Sequence, residues 1–181
     1  DLLSDPTAQD MRDDAVNLIQ TSATKLVTLV HFARIAFGAA TSAEAFSARE
    51  LNKTLSDVFS TMRATLNFDI ADEVVFQKPT ARALMNLGYI AGNALPTGGE
   101  ATLRREETDE AIILTAESKG PRARLKPEAV EGLNGLPLSD GLSGQWIQPF
   151  WLYSVVNEAG GEMDISLEPD SLGIKISLAK K

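Results

Sequence analysis

One run of residues, Asp5 to Gly38, dictates most of what this chain can become. Asp5 offers a capping oxygen and Pro6 stands where a missing N–H costs nothing, while Asp10, Asp13 and Asp14 place negative charge near the positive end of a helix dipole. Ala15, Leu18, Ile19, Leu26, Leu29, Val30, Ala33 and Phe37 then recur at spacings of three and four, and Gly38 can turn left-handed to end the helix. The apolar face is wider than a two-stranded coiled-coil seam, so it suits a helical bundle. About 33 helical residues would extend about 50 Å, and such a rod needs other helices to cover it. Only Leu2 and Leu3 precede it, and they read as the last turn of an earlier helix. Residues 1–44 are therefore expected to be a helical hairpin with its first helix truncated, forming half of a four-helix bundle in a homodimer.

The bulk properties exclude several functions. With 181 residues, 44% of them hydrophobic, the chain can bury a real core in one or two small domains. A net charge of −8 argues against nucleic acid or an anionic membrane as the main partner. The sequence has no Cys, which removes disulfides, thiolate metal sites and a thiol nucleophile, and fits a cytoplasmic protein. No apolar run approaches the roughly 20 residues that cross a bilayer.

After Gly38 the small, polar run from Ala39 to Ala43 reads as a linker, and residues 45–181 read as a second domain. Ser47 with Glu50 makes a capping box for a helix carrying Leu51, Leu55, Val58, Phe59 and Met62, expected to end near Ala64. Thr65 to Phe76 suggests one or two short strands, and Pro79 opens a helix through Leu84, Leu87, Ile90 and Ala91 that stops before Pro96. Glu100 to Glu106 and Ala111 to Ser118 alternate as a hairpin. Lys126 to Leu133 suggests a short helix, a Gly-rich loop through Gly144 leads to a helix from about Gln148 to Ala159, and a last hairpin turns at Pro169-Asp170. This order implies an α+β fold with helices on one face of a mixed or antiparallel sheet.

The punctuation of residues 84–178 carries a resemblance. Asn86-Leu87, Gly98-Gly99 before a strand, Lys119-Gly120-Pro121 after one, and Gly160-Gly161 before a final hairpin together resemble the ATP-binding domain of sensor histidine kinases. The resemblance implies an α/β sandwich with a nucleotide site, yet its positions are altered. Ile90 stands where the kinase pattern has a magnesium-binding Asn, and Ser118 where it has the adenine-binding Asp, with Glu117 adjacent. Arg122 replaces a glycine, and Trp146 and Gln148 crowd the glycine-rich phosphate loop, Trp146 being expected to pack where nucleotide would lie. The site therefore reads as degenerate, with no nucleotide cofactor and no metal.

A helical hairpin followed by a degenerate ATPase-like domain is the plan of the ChpT-type histidine phosphotransferases of bacterial phosphorelays. Residues 8–14, 32–38 and 119–125 are similar to stretches of that family, and the resemblance spans essentially the whole chain. It implies a protein that moves phosphoryl groups between receiver domains of a hybrid kinase and of response regulators. The family carries its acceptor histidine in a Cys-His-Asp context on the first helix of the hairpin, and no such run occurs here, so the acceptor is expected upstream of Asp1. The single histidine, His31, reads either as an acceptor or as a bundle-edge residue shielded by Val27, Val30 and Phe32, and the second reading is preferred. Lys119, Arg122, Arg124 and Lys126 form the densest basic cluster, either a solvated face or, with Arg34, a contact for the acidic face of a receiver. A histidine kinase fragment that binds ATP and a non-catalytic dimerisation scaffold are the alternatives.

Overall fold

The computed structural model describes residues 9–38 and 43–180, so the expected helix start at Asp5 and Pro6 and most of the linker lie outside the described residues. Helix α1 (Gln9–Ala36) is the expected rod, and it ends at Gly38, whose φ of 68° few other residues adopt. Strand β1 (Ala45–Ser47) follows, then α2 (Ala48–Phe59), where the Ser47 hydroxyl accepts the Glu50 N–H at 3.2 Å. Helix α2 stops before the expected Ala64, because Ala64 already belongs to β2 (Ala64–Asp69) and pairs with Gly99.

Strand β3 (Val75–Gln77) pairs antiparallel with β1, and α3 (Lys78–Asn93) begins directly afterwards with Pro79 in its first turn. The hairpin β4 (Gly99–Glu107) and β5 (Ala111–Lys119) matches the alternation in the sequence. Helices α4 (Pro127–Leu133) and α5 (Ser143–Glu158) lead to the closing hairpin β6 (Glu162–Glu168) and β7 (Ser171–Ala179). The start of α5 corrects the sequence reading. Gly144 to Ile147 are helical, although glycine and the interior Pro149 signal a loop. Burial of Pro149, Leu152, Val155 and Val156 along one face outweighs those local signals.

The five-stranded sheet runs β2-β4-β5-β7-β6, with β2 parallel to β4 and every other pair antiparallel. It is the mixed sheet expected, with α2, α3 and α5 packed against it. Helix α3 holds the centre: Leu84, Met85, Leu87 and Ala91 are fully buried and meet β4, β5 and β7. Among the described residues no helix is long and apolar enough to cross a membrane.

Candidate functional site

Three features converge around α3 and the end of α1. The first is a junction. The Ala36 carbonyl, left without an intrahelical donor at the end of α1, accepts the Asn86 side-chain amide at 2.9 Å and the Trp151 indole N–H at 3.1 Å. Asn86 is fully buried, its Oδ1 accepts Gln148 Nε2 at 3.2 Å, and its Nδ2 also donates to the Arg82 carbonyl. Phe32 packs on Tyr89 with centroids 5.0 Å apart, and Phe37 on Trp151 at 5.9 Å. The Arg82 guanidinium lies over Gly38, where any Cβ would collide with it. Sequence reading singled out Asn86 only as part of a resemblance. The signal it missed is a buried amide in the middle of an apolar helix face.

The second feature is the degenerate nucleotide region. A pocket of about 320 Å³ opens between α3, the chain before α4, and the first turns of α5. Tyr89, Ile90 and Asn93 line one side, Arg124 to Lys126 another, and Gln145 and Gln148 a third. Of the five altered positions, Ile90 and Gln148 are therefore at the pocket. Ser118 is fully buried, and its hydroxyl donates to the Ala91 carbonyl at 3.0 Å, stapling β5 to α3. The neighbouring Glu117 gives no substitute acid, since it pairs with Lys119 at 2.7 Å and with Arg104 at 3.6 Å. The hydrogen bond from Lys119, with the nearby Arg104, holds the Glu117 carboxyl below its usual range despite an opposing push from burial.

Arg122 sits in an exposed turn at φ 61°, its backbone N–H donating to Asp170 Oδ1. Trp146 corrects the expectation that it fills the nucleotide space. Its indole N–H donates to the Leu136 carbonyl at 2.8 Å and its ring stacks on Phe150 at 4.4 Å, outside the pocket lining. The reason is the helical start of α5, which sends residue 146 to a different face from residues 145 and 148.

The third feature is a groove between α1 and α2, lined by Val27, His31, Arg34, Ile35, Glu50, Lys53 and Asp57 among others. His31 is exposed at this groove, not shielded by its apolar neighbours, because Phe32 and Ile35 take the buried side of the helix. The basic cluster divides. Lys119 is paired with Glu117, Arg122 lies in its turn, and Arg124 and Lys126 share the pocket, while Arg34 stands at the α1–α2 groove. Among the described residues no group of three or more His, Cys, Asp or Glu is placed to hold a metal ion.

The same architecture occurs in known proteins. The chain is 29% identical over 156 residues to the protein phosphotransferase ChpT of Brucella abortus (strain 2308), covering 84% of this chain and 73% of that protein. A bacterial phosphotransferase solved at 1.7 Å superposes with a TM-score of 0.80 at 24% identity, covering 92% of this chain and 80% of the other. A histidine kinase domain from the blue-light-activated kinase of Erythrobacter litoralis shares the fold at a TM-score of 0.56 and 16% identity, over 98% of this chain and 89% of its own. Residues 48–171 match the family described as the histidine phosphotransferase C-terminal domain. With kinase-like architecture around nucleotide positions turned to structural use, and with well over half its length matched by that domain, this chain belongs to the histidine phosphotransferase family.

Proposed function

We propose that this protein is a phosphorelay histidine phosphotransfer protein that takes a phosphoryl group from the receiver domain of a hybrid histidine kinase and gives it to the receivers of response regulators, without binding ATP. The observation that carries the reading is the fate of two nucleotide positions. Ile90 is a buried hydrocarbon where a magnesium ligand would stand, and Ser118 spends its hydroxyl on the Ala91 carbonyl inside the fold. Family membership supports transfer, and these substitutions support transfer without autophosphorylation. Titration calorimetry with Mg-ATP should give no saturation below about 1 mM. Micromolar binding would restore the kinase alternative.

Residues 1–44 act as the dimerising hairpin, residues 45–181 as the docking domain, and the working unit is a cytoplasmic homodimer. Arg34, Lys119, Arg122, Arg124 and Lys126 meet the acidic phosphorylation face of a receiver. There charge complementarity speeds encounter more than it tightens the complex. The acceptor imidazole lies upstream of Asp1. Its ring nitrogen attacks the phosphorus of an aspartyl phosphate, the acyl oxygen–phosphorus bond breaks, and the phosphohistidine then yields its group to a second aspartate.

His31 is exposed, so shielding no longer argues against it; the absence of a Cys-His-Asp context does. In the full-length protein His31→Gln should leave transfer of radiolabel between two receivers within about twofold of wild type, and replacing the upstream histidine should abolish it. Complete loss in a folded His31 variant would make His31 the acceptor.

A further inference from the structure

The pocket beside Ile90 is no longer equipped for ATP, but it is not filled. Buried Ile90, Ala129 and Pro149, with half-buried Leu125, give it an apolar floor. Its rim carries two cations, Arg124 and Lys126, in a protein of net charge −8, and no acidic residue lines it. The acids of the adjoining α4 are committed elsewhere: Glu128 Oε1 accepts the Leu142 N–H at 3.3 Å, and Glu131 Oε2 the Ser139 N–H at 3.2 Å.

Among the described residues neither Arg124 nor Lys126 forms a side-chain ion pair or hydrogen bond, and the Gln145 side-chain amide has no partner either. Gln148 and Asn93 each use their NH₂ group within the protein, on Asn86 Oδ1 and the Tyr89 carbonyl. Each keeps a carbonyl oxygen available to a ligand donor. Gly144, also on the lining, leaves open space where a side chain would stand. A volume of about 320 Å³ is at the small end for ligand sites, enough for a bicyclic ring with one anionic group and too little for a metal-chelated triphosphate.

We propose that this pocket is a binding site for a small organic anion, a flat apolar body carrying one phosphate or carboxylate, with the ring on the Ile90–Pro149 floor and the anion between Arg124 and Lys126. Apolar burial supplies most of the affinity, and the paired cations supply the selectivity for charge. Neither an adenine-binding acid nor a magnesium ligand is needed, so the site is compatible with absent ATP binding. It also stands independently of the relay reading, because it is tested by binding alone.

The test is a titration of the full-length protein with 1-naphthyl phosphate, followed by ¹H–¹⁵N correlation spectra. The expected result is saturable binding with a dissociation constant on the order of 0.1–1 mM, and movement of the Asn93, Gln145 and Gln148 side-chain amide signals. Neutral 1-naphthalenemethanol should bind about tenfold more weakly, as should 1-naphthyl phosphate to the Arg124→Glu, Lys126→Glu double variant. Gly144→Phe, whose ring enters open space and leaves the core intact, should remove binding while the spectrum stays folded. Absence of saturation at about 5 mM, roughly tenfold above that range, would overturn the proposal. So would equal binding of the neutral compound, or binding indifferent to Gly144→Phe, which would place the probe on some other apolar surface.

Discussion

The two ends of α1 carry the same apolar rhythm and meet opposite fates. Toward its C-terminus Phe32, Ile35 and Ala36 are buried where α1 meets α2 and α3, whereas Leu18 and Leu26, nearer the middle of the helix, are 68% and 64% exposed. Met11, Ile19, Val27, Leu29 and Val30 join that uncovered face. A contiguous apolar face of this length calls for a partner surface, and none of the described elements supplies it. The inner end is held differently: beyond ring packing, two side-chain donors close on one carbonyl at the helix terminus. The contrast separates an uncovered apolar surface from a joint fixed by directed hydrogen bonds.

The largest effect should come from breaking the uncovered face. In the full-length protein, Leu18→Glu with Leu26→Glu would remove four leucines from the proposed homodimer, about 2 kcal/mol each and about 8 kcal/mol together. That is on the order of a million-fold in dimerisation constant. Light scattering at micromolar concentration should then read the monomer mass, and an unchanged dimer would show that this face is not the interface.

The joint is more modest. Asn86→Ala removes one of the two donors to the Ala36 carbonyl and the acceptor of Gln148 in a fully buried site, and should cost about 2–3 kcal/mol in urea unfolding. Trp151→Phe keeps a ring beside Phe37 and loses only the indole donor, so about 1 kcal/mol is expected. If both variants match wild type, the joint is held by Phe32 and Phe37 alone.

The smallest effect lies on the open face of the sheet, away from both ends of α1. Lys180 and then Arg105 hold the Glu107 carboxyl below its usual value of 4.5, and Lys119 and Arg104 do the same for Glu117. Because both are depressed in the folded protein, their stabilisation is present above about pH 4.5 and disappears as pH falls through the lowered values. Both side chains are more than a third exposed or nearly so, and screening limits Glu117 to a few tenths of a kcal/mol. Glu117→Gln should flatten the acid limb of the stability profile slightly and leave the joint variants' losses unchanged.

Elements with a strong local signature were legible before any fold was known. The Ser47 cap, the β4–β5 alternation and the Asp170 turn, with its φ of 57°, all follow from side chains within a few residues. Strand β1 escaped notice because three residues carry no alternation, and its existence depends on β3, 28 residues or more away in sequence. The start of α5 escaped because Gly144 and Pro149 are locally poor helix formers, and only burial against α4 and α3 reverses their preference. The candidate site divided in the same way. The loss of nucleotide ligands at Ile90 and Ser118 is a matter of side-chain chemistry, so the sequence suffices to read it.

What the sequence alone determined is therefore the local and the chemical: a long bundle helix with a face in need of cover, a mixed α+β order, an acidic chain without cysteine, and a kinase-like frame without kinase ligands. Tertiary structure decided which of those side chains meet. It turned Trp146 away from the pocket, set His31 in a groove, gave Asn86 to the end of a helix 50 residues earlier, and left Arg124 and Lys126 facing a pocket with no acid in it. Periodicity and capping act over a few residues and can be read along the chain, whereas convergence of distant side chains depends on how faces pack, which no single segment encodes.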